Sequence, residues 1–221
     1  MKQNIFIFGT TLITACILSA CSPAASSEPN EPRQNITPET QTISQSHAAI
    51  FEIIEAGNKA KQEKDADGLS DAAHLLTLLG AQPFNADMPD LAQDWRDTAI
   101  TLRNTGQDSK KNFTVRGRVK GPAYREKILA PGSEEVLQEI YYASERAELT
   151  LKVLSSGNTV SDGALTLRVA EQTGNTPENV CTLNAKQAAA SCQWLPLWTA
   201  KYNITIVNHG DSPVSYLLVT N

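Results

Sequence analysis

Between residues 46 and 105 the apolar positions recur at the spacing of α-helices. The first run, HAAIFEIIEAGNKAKQEKD, has isoleucines at i, i+3 and i+4 with charged residues on the other side, and two further runs keep this period. We expect the second helix to stop at Gly80, and the third to be capped by Asp87 with Pro89 near its first turn. The pattern predicts three amphipathic helices in a helical segment of residues 45–106. Their apolar stripes are Ile50, Ile53 and Ile54; Leu69, Ala72, Ala73, Leu76 and Leu79; and Leu91, Trp95, Ala99 and Leu102.

From about residue 112 the apolar period changes from that of a helix to the period of two that marks a β-strand. In AELTLKVL, leucine and valine side chains lie on one face, and Glu148, Thr150 and Lys152 lie on the other. Turn sequences such as SSGN, TGNTPEN and NHGDSP separate the runs. Short strands at such intervals predict an antiparallel β-sandwich over residues 107–221, so the fold class is α+β. The alternating runs are NFTVRGRV, EVLQEIYYA, AELTLKVL, ALTLRVA, YNITIVN and VSYLLVTN.

Residues 1–21 read MKQNIFIFGTTLITACILSAC, with an apolar run after Lys2 and the ending Leu-Ser-Ala-Cys. The run of roughly fifteen residues fits the core of a signal peptide and is short for a membrane span. Its ending resembles the lipobox of bacterial lipoproteins. The resemblance implies a signal peptide of residues 1–20, acylation of Cys21 with diacylglyceryl and palmitate-type chains and, because Ser22 follows, an outer-membrane protein facing the periplasm or the exterior. The alternative is an ordinary secretory signal with a coincidental cysteine.

The segment of residues 21–44 is rich in serine, proline, glutamate, glutamine and threonine and has no aromatic residue. It buries too little apolar area to offset its ordering entropy, so we predict a disordered tether with a reach on the order of 25 Å. The formal net charge of −5 becomes −6 once Lys2 leaves with the signal peptide. This acidity argues against a nucleic-acid partner. The expected contacts are the membrane, through the N-terminal lipid, and an envelope protein or a glycan.

The chain has four cysteines, of which Cys16 leaves with the signal peptide and Cys21 carries lipid. The remaining pair, Cys181 and Cys192, is most simply a disulfide in an exported chain. Two free buried thiols are the alternative. A zinc site is disfavoured because no histidine lies near the pair and two ligands are too few.

The last hundred residues carry a second family pattern. It runs from Trp194-Leu195-Pro196-Leu197-Trp198 through YNITIVNHG, residues 202–210, to Tyr216, Leu218 and Asn221. Together with the AELTL strand, it resembles the bacterial pre-peptidase C-terminal (PPC-like) β-sandwich domains, a likeness that covers about residues 112–221. The resemblance implies a jelly-roll type sandwich that serves as a binding or accessory module. The acidic residues common before the family's second strand are replaced by GALTL, which leaves Asp162 nearby and makes a calcium role doubtful.

The tryptophans near residue 196 allow two interpretations. Pro196 cannot donate to a strand ladder and belongs at an edge or corner, so Trp194 and Trp198 are expected to cover the open end of the core beside Tyr202. In the alternative, Trp194, Trp198 and Tyr202 form an exposed stacking surface for a sugar or a peptide. The sequence TLNAKQAAAS between Cys181 and Cys192 is predicted to be a hairpin connection between the two strands that carry these cysteines.

No catalytic motif stands out along the chain. His47, His74 and His209 lack the H-E-x-x-H spacing of a metalloprotease, and neither a G-x-S-x-G elbow nor a phosphate-binding glycine loop is present. We therefore predict no catalytic residue, no metal, no cofactor and no enzymatic activity. A solvated helix face is the preferred interpretation of the acidic run Asp90, Asp94 and Asp97.

Together these observations predict a non-catalytic, lipid-anchored protein of the cell envelope that acts as a binding or accessory module. The alternative is a carbohydrate-binding protein or a hydrolase with a site between the helices and the sandwich.

Overall fold

A computed structural model describes residues 43–104, 121–154, 165–172, 176–185 and 189–221. The predicted signal peptide, the lipidation site at Cys21, nearly all of the tether, the strand NFTVRGRV and Asp162 lie outside the described residues. Over the described ranges, no helix is both long enough and apolar enough to cross a bilayer. Three helices and two β-sheets form an α+β fold, as predicted.

The helices follow the predicted pattern. α1 spans Gln45–Glu63, α2 spans Ala66–Leu78 and α3 spans Leu91–Arg103. Each begins after a side chain that accepts a hydrogen bond from the backbone of the first turn. Gly80 follows α2 with a φ of +66°, the left-handed conformation that glycine adopts at helix ends.

The start of α3 differs from the prediction. Asp90, not Asp87, caps this helix, and its Oδ1 accepts a hydrogen bond from the backbone N–H of Gln93 at 3.2 Å. Capping by Asp87 would require Met88 to be helical, and the following Pro89 disfavours that conformation. Pro89 therefore lies directly before the cap.

Within the described residues, nine strands form two sheets. The five-stranded sheet has the order β1-β2-β9-β4-β7 and the four-stranded sheet the order β3-β8-β5-β6. The pairing of β1 with β2 is parallel and every other pairing is antiparallel. Strands β2 to β9 have the sheet order of an eight-stranded jelly roll, in which consecutive strands change sheets at every connection except that between β5 and β6. This confirms the predicted antiparallel sandwich. The strands are β1 Gln82–Pro83, β2 Ala123–Leu129, β3 Glu134–Tyr141, β4 Ala147–Leu154, β5 Leu165–Glu171, β6 Glu178–Ala185, β7 Ala190–Trp194, β8 Ala200–Asn208 and β9 Val214–Thr220.

Three parts of this topology differ from the prediction, and the first is the two-residue strand β1, which was not identified. Strand β2 was missed because the consecutive charges of Arg125, Glu126 and Lys127 interrupt its alternation. The hairpin predicted for TLNAKQAAAS is wrong, since its first residues extend β6 and its last ones begin β7, and these strands belong to different sheets. The chain crosses between the sheets here.

Two apolar cores hold the fold together, one between the sheets and one between the helices and the outer face of the five-stranded sheet. Leu217 and Val219 of β9 contribute to the second core, which contains the fully buried Trp95. Helix α1 approaches this ring so closely that a β-carbon at Gly57 would lie 2.4 Å from it. Leu79 is 37% exposed, contrary to the predicted stripe, because it caps the C-terminus of α2.

The two open edges of the sandwich are closed by different chemistry. Cys181 of β6 and Cys192 of β7 form the predicted disulfide, with their Cα atoms 6.2 Å apart. At the other edge, Glu135 of β3 pairs with Arg125 and with Lys127 of β2, whose Nζ lies 2.7 Å from Glu135 Oε1. Burial acts to raise the pKa of Glu135, but these contacts and a hydrogen bond from Tyr216 outweigh burial and lower it.

Candidate functional site

The aromatic residues proposed as a ligand surface are divided between the core and the surface. Trp194 and Tyr202 are buried and pack with Tyr141, with ring centroids 4.7 to 5.6 Å apart. The Tyr202 hydroxyl donates to Glu171 Oε2 at 3.2 Å. Since both rings lie inside the sandwich, neither Trp194 nor Tyr202 can stack on a ligand at the surface.

Trp198 is the exception, with 63% of its surface exposed. It follows the end of β7 in the loop 195–199, beyond the last strand pair that could cover it. The expectation that both tryptophans pack in the core is therefore wrong for Trp198. Within this loop the side chain of Pro196 is buried, whereas that of Trp198 is exposed to solvent.

Around Trp198 the molecule presents a group of exposed apolar side chains, which we call the loop end: Tyr142, Leu195, Leu197 and Trp198. Hydrogen bonds connect the two loops that carry them. The backbone N–H of Ser144 donates to Pro196 O at 3.0 Å, and that of Ala143 donates to Thr199 Oγ1 at 3.1 Å. The apolar side chains are thus held on a tied pair of loops.

A second cluster lies between α1 and the five-stranded sheet. The ring of His47 is fully buried, with its Nδ1 2.9 Å from Thr150 Oγ1 and 3.6 Å from Glu148 Oε1. Thr150 Oγ1 donates to Ser191 Oγ at 3.1 Å, and Ser191 Oγ donates to Glu148 Oε1 at 3.2 Å. The same carboxylate oxygen accepts the backbone N–H of Ser44 at 2.9 Å. We call these five residues the polar chain.

The polar chain has a direction. A hydroxyl group donates only one hydrogen, and that of Thr150 is given to Ser191. Thr150 must therefore accept from His47, which places the imidazole proton on Nδ1. His47 Nε2 is then a lone-pair nitrogen, buried without a hydrogen-bond partner among the residues that the structure describes. The result is a neutral histidine at one end and a carboxylate at the other.

The pKa shifts of the two groups keep His47 neutral and Glu148 ionised. Burial lowers the pKa of His47 below 6.5, and the nearby Glu148 carboxylate offsets only part of this effect. Burial acts to raise the pKa of Glu148, but hydrogen bonds from Ser44 and the proximity of His47 outweigh it, so the pKa lies below 4.5. Protonating His47 would create a buried Nε2–H donor without an acceptor.

We predict that the free energy of unfolding decreases as the pH is lowered, because of His47. Its folded-state pKa lies below the unfolded value of 6.5, so the stabilisation is complete above 6.5 and is lost as the pH falls through the folded-state value. Urea titrations at about pH 7.5 and about pH 5.5 should show a lower free energy of unfolding at the lower pH, and His47→Gln should reduce the difference. The exposed His74 provides a matched control, and His74→Gln should keep the wild-type difference. Equal pH dependence of His47→Gln and wild type would contradict this role.

The remaining sequence candidates lie apart from both clusters. His74 and His209 are exposed, on α2 and after β8 respectively. In the acidic run, Asp90 is a helix cap, Asp94 pairs with Lys61 at 2.7 Å and Asp97 accepts from Gln93. Within the described residues, no three histidine, cysteine or acidic side chains are grouped as metal ligands.

Sequence reasoning missed the polar chain. Glu148 and Thr150 were placed correctly on the polar face of β4, but that face is covered by α1. The available signal was the polar pair in β4 together with Ser191 in β7. It indicates a buried polar cluster only once β4 is known to pair with β7.

No protein-family model matches the chain, and no curated protein matches it. Among solved structures, it is similar to the periplasmic inhibitor of g-type lysozyme PliG of Aeromonas hydrophila, with 12% identity, a TM-score of 0.34 and coverage of 45% of this chain and 84% of that one. A pre-peptidase C-terminal domain of collagenase from Bacillus anthracis shows 10% identity and a TM-score of 0.37, covering 44% and 87%. The mitogen of Yersinia pseudotuberculosis shows 14% identity and a TM-score of 0.35, covering 47% and 86%. Likenesses at this level assign no function.

Proposed function

We propose that the chain is a lipid-anchored, non-catalytic accessory protein of the bacterial cell envelope that acts by contact rather than by chemistry. Cys21 carries the lipid, and the tether of residues 21–44 connects it to a folded part that faces the periplasm or the exterior, on the outer membrane. Residues 107–221 form a PPC-like domain. The support for the anchor and the family is the lipobox and the Trp194–Asn221 pattern in the sequence.

The non-catalytic proposal rests on the burial of the polar chain, whose side chains bond within the cluster rather than facing solvent. Of the described residues, His47, Glu148 and Ser191 come nearest to a catalytic arrangement, yet each is buried. The ring of His47 bonds to Thr150, which in turn donates to Ser191, so these contacts stay within the polar chain. A general base has to reach the proton of a substrate, and this histidine is sealed between a helix and a sheet. The cluster is suited to docking α1 and the end of the tether on the sandwich.

A glycan ligand is the second candidate. The outer face of the four-stranded sheet carries hydroxyl and amide side chains beside charged residues and the exposed Val136 and Ile140. Some of the hydroxyl and amide groups already pair, as in the 3.1 Å bond from Gln138 Nε2 to Asn203 Oδ1. Such uncharged donors and acceptors suit sugar hydroxyl groups. This surface differs from the site predicted between helices and sandwich, where the described residues form an apolar core and the sealed polar chain.

The proposal is tested by labelling and crosslinking of the full-length chain in its native envelope. Wild type should incorporate labelled palmitate, remain with the membrane and yield one stoichiometric crosslinked neighbour. Cys21→Ala should lose the label, and Cys16→Ala, a matched change within the signal peptide, should keep it. Label retained by Cys21→Ala would refute the anchor. Absence of any specific neighbour would refute the accessory role, and a glycan as the neighbour would favour the second candidate.

A further inference from the structure

We propose that the loop end is a second membrane contact, in which Leu195, Leu197 and Trp198 enter the interfacial region of the bilayer that holds the N-terminal lipid. The inference deepens the proposed function and rests on its lipid anchor. It assigns an occupant to the exposed apolar side chains of Tyr142, Leu195, Leu197 and Trp198, which the sandwich leaves uncovered.

The position of the tether's end brings this surface to the membrane. Ser44, where α1 begins, is bound through its backbone N–H to Glu148 at the start of β4. Glu148 is opposite Gln193, the residue before Trp194, and its N–H donates to Asn221 Oδ1 at 2.7 Å. The chain that arrives from Cys21 therefore joins the fold at the same end of the sandwich as the loop end.

The reach of the tether is compatible with this contact. The composition of residues 21–44 predicts a coil that spans on the order of 25 Å. A lipid at Cys21 thus keeps the joining point at Ser44, and the loop end beside it, within a short distance of the headgroups. A bilayer is the partner that the anchor itself supplies at high local concentration.

The side chains match an interfacial location. Tryptophan and tyrosine are enriched where hydrocarbon meets headgroups, since their rings are apolar and their N–H or O–H groups bind water or phosphate. Trp198 and Tyr142 supply such rings, and Leu195 and Leu197 supply apolar area. The bonds from Ser144 to Pro196 and from Ala143 to Thr199 already order the loops, which reduces the entropy lost on insertion.

Trp198 itself reports the contact. The other two tryptophans, Trp95 and Trp194, are buried, so quenching by lipid-borne bromine isolates Trp198. Full-length acylated protein is reconstituted in vesicles of phosphatidylethanolamine and phosphatidylglycerol that carry brominated acyl chains. We expect clear quenching in wild type, loss of the quenchable emission in Trp198→Phe, and a several-fold decrease in Leu195→Ser/Leu197→Ser, which retains the reporter.

The matched control is Ile128→Ser. Ile128 is 66% exposed near the end of β2, at the opposite end of the sandwich, and its replacement should leave quenching unchanged. Circular dichroism confirms that every variant is folded, and mass spectrometry records acylation at Cys21 separately. Acylated protein without Trp198 quenching would overturn the membrane contact and leave the anchor intact, whereas absence of acylation would overturn the anchor. Crosslinking from position 198 to a protein, with no quenching by lipid, would assign the loop end to a protein and overturn the inference.

Discussion

Replacing Glu148 by alanine should lower the free energy of unfolding by about 2–4 kcal/mol, because it removes the acceptor on which the polar chain ends. The substitution leaves the N–H of Ser44 and the hydroxyl of Ser191 without their partner, and each unsatisfied buried donor costs about 1–3 kcal/mol. It also removes the charge near His47. Urea titration at neutral pH, read by far-UV circular dichroism, measures the change.

The loss of stability should occur on removal of the buried carboxylate of Glu148 and not on removal of an exposed one. Glu52→Ala, which removes an exposed carboxylate from α1, should change stability by about 0.5 kcal/mol or less. Hydrogen exchange should show faster opening of the first turn of α1 in Glu148→Ala, since Ser44 loses its anchor there. A Glu148→Ala protein as stable as Glu52→Ala would show that the polar chain does not hold α1 on the sheet.

The double substitution Cys181→Ala/Cys192→Ala should lower stability by about 3 kcal/mol. The disulfide closes a loop with a sequence separation of 11, and a loop of this size gives about that value in the chain-entropy model. It also connects edge strands of opposite sheets, so its loss frees one open side of the jelly roll. Thermal and urea unfolding of the variant and of wild type measure the difference.

Reduction provides the control for this prediction. Wild type treated with a thiol-free reductant should approach the stability of the double variant, and the variant itself should not respond to the reductant. A double variant as stable as oxidised wild type would mean that the opposite edge and the intersheet core already hold the sandwich. Glu135, Arg125 and Lys127 form that opposite edge.

Strands were predictable where the alternation of apolar and polar residues is clean. The runs of β3, β4, β5, β8 and β9 were identified because one face of each meets the intersheet core. Strand β2 escaped because Arg125, which lies at an open edge, is largely buried as a partner of Glu135 rather than as an apolar side chain. The exposed Lys127 pairs with the same carboxylate from its outer side. Local periodicity records apolar burial and does not detect burial by charge pairing.

The candidate site residues were likewise predictable only as far as local sequence determines burial. Pro196 indicated a corner, but sequence had no means to separate Trp194, the last residue of β7, from Trp198, which lies beyond it. His47 carried no motif, because its hydrogen-bond partner Thr150 lies 103 residues further along the chain. Long-range pairing of strands, and the packing of a helix on them, created the polar chain.

By itself, the sequence determined the fold class, the three helices, most of the strands and the pairing of Cys181 with Cys192. These features depend on local period, on capping residues and on cysteine arithmetic, all of which can be read within short segments. Only the tertiary structure decided the order of strands in the jelly roll, the burial of His47 and Glu148 between α1 and the five-stranded sheet, and the exposure of Trp198 beyond the end of β7. The physical reason is that burial is a property of neighbours, and neighbours from distant segments are set by how the sheets and helices pack.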